Sequence, residues 1–128
     1  MEFPLRKHAA MKPEQVAALA LEFADVTEEQ PFGPDTDVYK VVGKVFLLLA
    51  GRGEPARVSL KCEPSLAVHL REQYDAVTPG YHLNKRHWNT VVLDGSVPDD
   101  ELADMIEHSY LRVVAGLPKA TRFRLTAH

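Results

Sequence analysis

One stretch limits the fold more than any other: "VYKVVGKVFLLLAGRGEPARVSLKC", from Val38 to Cys62. β-branched and aromatic residues dominate it, and two breakers interrupt it, Gly43-Lys44 and then "GRGEP". Three short antiparallel strands joined by two hairpins are the expected result. A sheet of that kind has two faces and must bury at least one, so the rest of the chain has to supply a covering layer.

Helical periodicity supplies it. From Pro13 the pattern turns amphipathic, with Val16, Leu19, Ala20 and Phe23 at helical spacing and a helix end expected near Ala24. "TEEQPFGPDTD" then breaks the helix. A second, short helix is expected from Pro64 to about Gln73, with Leu66, Leu70 and Ala67 facing inward. After the break at "TPGY", "WNTVVLD" reads as a strand with Trp88, Thr90 and Val92 on one face and Asn89, Val91 and Leu93 on the other. Apolar residues on both faces predict an inner strand, with Trp88 in the core. The clearest helix follows "DGS". Acids at Asp99, Asp100 and Glu101 suit its positive N-terminus, Leu102, Met105, Ile106, Tyr110, Val113 and Leu117 form its stripe, and Gly116 before Pro118 stops it.

Residues 1–12 read as an N-terminal arm, 13–122 as one domain, and 123–128, within the basic segment "KATRFRLTAH", as a loosely held C-terminal tail. The element order predicts an α+β fold: an antiparallel meander packed on one face by the N-terminal and C-terminal helices.

Composition narrows the function classes. At 128 residues the chain can bury a core without disulfides or metal. Its formal charge of -3 gives no global attraction to nucleic acid or anionic membrane, so such binding needs a local basic patch. A single cysteine, Cys62, excludes an internal disulfide and a thiolate zinc site, and fits a reducing cytoplasm. Val45 to Ala50, the longest apolar run, is too short to span a bilayer, and Met1 to Met11 carries charge where a signal peptide needs an apolar core. No targeting or membrane segment is expected.

The chemistry-bearing combinations are few. No G-x-S-x-G elbow surrounds any serine, and "GRGEP" lacks the Lys-Ser/Thr of a phosphate loop. His82 and His87 lie five apart without a metal-binding motif, and His8, His69, His108 and His128 are scattered. The acids of "PDDE" are explained by the helix dipole. What stands out is "NKRHWN". Lys85 and Arg86 offer cations to phosphates, Asn84 and Asn89 can donate to phosphates or base edges, and His87 has a ring that stacks. Lys44, Arg52, Arg57 and Lys61 enlarge the patch if the fold gathers them.

The blocks "EEQPFGPDTDVYKVVGKVFLLL" and "TPGYHLNKRHWNTVVLDGSVPDDELADMIEHSYLRVVAGLPK", in that order, resemble the MmcQ/YjbR family of small bacterial proteins over roughly Pro13 to Arg122. The resemblance implies a CyaY-like α+β fold and DNA binding through a "double wing" in which hairpins flank a groove. It implies His82, Asn84, Lys85, Arg86, His87, Trp88 and Asn89 as the contacting segment and Lys44 as part of a second wing.

Three function classes follow. The first is a DNA-binding protein using Lys44, Asn84, Lys85, Arg86, His87 and Asn89. The alternative is a non-catalytic module for a small anionic ligand or a protein partner, with His82, Lys85 and His87 lining a pocket over the sheet. The third is an enzyme, for which no acid and nucleophile are paired at a known spacing, so no catalytic residue, cofactor or metal is assigned.

Overall fold

The structure, a computed structural model, describes residues 11–51 and 55–126; most of the expected N-terminal arm, together with His8, Arg52, Glu54 and His128, lies outside them. Its elements run α1 (Pro13–Glu22), β1 (Val26–Glu29), β2 (Thr36–Val41), β3 (Lys44–Ala50), β4 (Arg57–Lys61), α2 (Pro64–Gln73), β5 (Val77–Pro79), β6 (Trp88–Val92), α3 (Asp99–Ala115) and α4 (Lys119–Thr126). The class is α+β.

The six strands form one antiparallel sheet in the order β1-β2-β3-β4-β6-β5. The first four make a meander, and β6 returns to lie beside β4, inside the sheet. Two features adapt the β2–β3 hairpin. Val42 and Gly43 both take positive φ, 49° and 77°, as a two-residue hairpin turn requires. A bulge between Tyr39 and Lys40 leaves Phe46 as an extra residue on β3, so Phe46 and Leu47 both enter the core.

Register sorts the two faces. Leu47, Leu60 and Asn89 are matched across the sheet, as are Leu49, Val58, Val91 and Val77, and these rows face the helices. The intervening row, Val38, Leu48, Ser59, Thr90 and Thr78, lies on the face away from the helices, the outer face, where Val38, Ser59 and Thr90 are nonetheless buried. α1 packs on β1 and β3, α3 on β2, β3 and β4, and α2 on β5 and β6. A trio of rings joins the layers: Tyr110 stacks on Phe23 at 4.6 Å and meets Phe46 edge-on at 5.5 Å. Ser109, fully buried, donates from Oγ to the Phe46 carbonyl at 2.5 Å and accepts from the Lys61 N–H at 2.8 Å. It thereby satisfies two strand groups where the β3–β4 ladder, which starts at Leu47–Leu60, has ended.

Three expectations need correction. Val26–Glu29, expected only as part of a breaker region, is the edge strand β1; its residues are half-buried or exposed, so no alternation marks it. Residues 123–126 are not a loose tail: they continue α4 through Thr126, and the helix buries Leu125 and ties Arg124 to Asp25 at 2.6 Å. Trp88 is half-buried on the outer face instead of lying in the core.

Candidate functional site

The segment "GYHLNKRHW" between β5 and β6 is built by its own hydrogen bonds. Gly80 donates to the Trp88 carbonyl at 2.8 Å, and an added Cβ there would lie 2.7 Å from the Trp88 Cβ. Only glycine lets the two strands close so tightly. Asn84 Oδ1 accepts from the N–H groups of Arg86 (2.9 Å) and His87 (3.3 Å), which makes it a turn former. Lys85 Nζ donates to the Gly80 carbonyl at 2.8 Å and so closes the loop on itself. His87, half-buried, accepts through its carbonyl from the Cys62 N–H at 2.8 Å. Arg86 is exposed, and its guanidinium has no hydrogen bond or ion pair among the described residues.

The loop also reaches back across the outer face. Tyr81 N–H donates to Thr90 Oγ1 at 3.0 Å, the exposed Tyr81 ring packs 4.1 Å from the His82 ring, and the Arg57 guanidinium lies 5.2 Å over it. His82 holds a left-handed φ of 58°, an uncommon conformation for a non-glycine residue. Lys61 pairs with Trp88 in the register and so shares this outer face. The turn before Lys44 and the start of β6 lie at the same end of the sheet, because β3 and β6 run parallel to each other with β4 between them. Two strand spacings, about 10 Å, separate those strands.

Charge is segregated in the same way. The segments Arg57 to Lys61 and Gly80 to Leu93 carry Arg57, Lys61, Lys85 and Arg86 and no acid, whereas α3 alone carries Asp99, Asp100, Glu101, Asp104 and Glu107. A net charge of -3 is thus compatible with a basic outer face.

Asn89 does not belong to that face. It is 3 % exposed on the helix side, where its Nδ2 donates to the Ala67 carbonyl at 3.3 Å and its Oδ1 accepts from Arg71 Nε at 2.7 Å. The expectation that it contacts nucleic acid is corrected: its place in the strand alternation turns it inward. His82, Lys85 and His87 do not line the described cleft, which lies on the opposite side of the sheet and is walled by other residues.

That cleft, about 290 Å³, opens between α2 and α3. Leu60 and Val91 form its floor with Cys62 and Asn89, Leu66, Leu70 and Met105 form the walls, and Glu101, Asp104 and His108 stand on the α3 side. Burial, then the neighbouring Glu63 charge, pushes the Cys62 thiol up to about 11, so it is protonated at neutral pH. His108 Nε2 accepts from the Glu63 N–H at 3.1 Å, and burial lowers its pKa, which keeps the ring neutral. Glu63 caps α2, and hydrogen bonds from the Ser65 hydroxyl and the Leu66 N–H hold its carboxyl down at about 2. Sequence reasoning missed this cleft, since its lining comes from two helices and two strands that only the fold brings together.

The family model YjbR matches residues 21–112. The chain belongs to the YjbR (MmcQ) family. It is 38% identical over 113 residues to the uncharacterized protein YbdF of Escherichia coli O157:H7, covering 88% of this chain and 92% of that one. Identity to the uncharacterized protein YjbR of Escherichia coli K12 is 42% over 83 residues, covering 65% of this chain and 70% of the other. The crystal structure of Deinococcus radiodurans protein DR2400, domain DUF419, superposes with a TM-score of 0.84 at 35% identity over 94% of this YjbR-family chain and 91% of its own. The α+β fold expected from the family resemblance is therefore the observed one.

No helix among the described residues is long and apolar enough to cross a membrane.

Proposed function

We propose that this chain binds DNA through the outer face of its sheet. The single observation that carries the reading is the acid-free basic tract of Arg57, Lys61, Lys85 and Arg86 around the exposed Tyr81–His82 ring pair, while five acids are gathered on α3. Phosphates are met by Lys61, Arg86 and Arg57, and by Lys44 at the tip of the β2–β3 hairpin. Tyr81 and His82 offer ring faces to an unpaired or distorted base. The hairpin tip and the 80–87 loop project from the same end of the sheet, which supports a double-wing arrangement of the kind the CyaY-like resemblance implies. Asn84 and His87 shape the loop in this reading, and Asn89 takes no part in contact. A cytoplasmic location goes with a DNA ligand.

Fluorescence anisotropy with a labelled duplex and a single strand of the same sequence tests the proposal. Four phosphate contacts predict a slope of log K against log salt of about -3.6, so affinity falls roughly a hundredfold between 50 and 200 mM salt. Lys44→Ala with Arg86→Ala flattens the slope by about two units, equally for unrelated sequences. Absence of binding at low salt to either form ends the reading.

A further inference from the structure

The α2–α3 cleft lies across the sheet from the basic face and has a chemistry of its own. Its volume of about 290 Å³ sits near the lower end of the size range of small-molecule sites, and its surface is mostly apolar. Its acidic side chains stand on one side, while Asn89 and Cys62 are the polar residues of the floor. Glu101 and Asp104, three apart on α3, present two carboxylates on one helical face. Tyr74, at the end of α2, is near enough for the Glu101 carboxylate to raise the pKa of its hydroxyl. His108, one turn further along α3, has its pKa lowered by burial and then by the nearby Arg112 charge, and its Nε2 accepts from the Glu63 N–H. It adds no positive charge to offset the acids. Arg112 lies a turn beyond, beside Cys62 and Glu63, at the opposite end from Glu101. The cleft is therefore apolar along its length and anionic at one end.

We propose that the cleft between α2 and α3 is a binding site for a small organic cation, an aryl- or alkylammonium ion whose apolar body lies against Leu66, Leu70 and Met105 and whose ammonium is met by Glu101 and Asp104. The charge of the site selects against anions, and the apolar walls select against bare metal ions and small hydrated amines. This site is independent of the DNA-binding reading and uses none of its residues.

The test uses matched probes in nuclear magnetic resonance titrations of the whole chain: tryptamine and octylammonium, the neutral alcohols tryptophol and octanol, and the anions indole-3-acetate and octanoate. At least one ammonium probe is expected to saturate shifts at Leu66, Leu70 and Met105, with the matched alcohol roughly tenfold weaker and the anion weaker still. Asp104→Asn, at an exposed position, lowers ammonium affinity about fivefold and leaves the alcohol unchanged. Met105→Trp fills the cleft and removes binding of both. The proposal is overturned if neither ammonium probe shifts the cleft residues, if charge makes no difference within a matched set, or if Asp104→Asn combined with Glu101→Gln keeps the full preference for the cation.

Discussion

Arg71 and Asn89 are locked together, Arg71 Nε donating to Asn89 Oδ1 at 2.7 Å while the same guanidinium reaches the Lys85 carbonyl. One α2 side chain thus fastens both the inner strand β6 and the basic loop that precedes it. Asn89→Ala leaves Arg71 and the Ala67 carbonyl short of a partner at a buried position, and a stability loss of about 2 kcal/mol is expected in urea denaturation. Arg86→Ala, at an exposed site, stays within about 0.5 kcal/mol of wild type. If Asn89→Ala is equally silent, the anchoring role assigned to the pair is wrong.

Gly80 sets how closely that loop can lie on β6. Its missing side chain leaves room for the Trp88 Cβ, which a new Cβ would approach to 2.7 Å. Backbone on both sides must therefore shift in Gly80→Ala, at a cost of about 1–3 kcal/mol. The indole resonance of Trp88 should move, and so should the amide of Tyr81, which donates to Thr90. DNA affinity, on the reading proposed above, falls with the displaced loop even though no charge is lost.

Local patterning made most of this architecture legible before any coordinates. The meander followed from two breakers in a β-rich run, and α2 and α3 followed from proline starts and a 3.6-residue apolar period. Alternation in "WNTVVLD" put Asn89 on the same face as Val91, so its burial was already implied, although its amide made it look like a contact residue. Two elements were hidden for physical reasons. β1 is an edge strand with almost nothing to bury, and α4 is a polar helix held by Leu125 and by Arg124 pairing with Asp25 far away in sequence. The cleft was illegible because Leu60, Leu66, Met105 and Val91 meet only through strand order and helix docking.

Ser109 is the one fully buried polar side chain on α3 among the described residues, and it serves two strands at once. Ser109→Ala removes an acceptor from the Lys61 N–H and a donor from the Phe46 carbonyl. Thermal or urea unfolding should show a loss of about 1–3 kcal/mol, larger than a methyl-for-hydroxyl exchange at the surface. Amide exchange at Lys61 should accelerate, while that at Leu49, deeper in the β3–β4 ladder, changes less.

Acid should weaken the fold in two separable windows at the start of α2. The folded pKa of His108 is lowered by burial, so below its ordinary value of 6.5 the unfolded chain takes up a proton that the folded chain resists. That contribution to stability is present above 6.5 and declines as pH falls through the folded value. Protonation also ends the acceptor role of Nε2 toward the Glu63 N–H. Glu63 acts lower: its carboxyl, held at about 2 against an ordinary 4.5, stabilises the folded state above 4.5 and loses that effect as pH approaches 2. Glu63→Gln should therefore melt lower than wild type at neutral pH, with the two curves converging toward pH 2. His108→Gln should flatten the dependence between pH 7 and 5 while leaving the lower window intact. A single acid transition that neither substitution alters would refute both assignments.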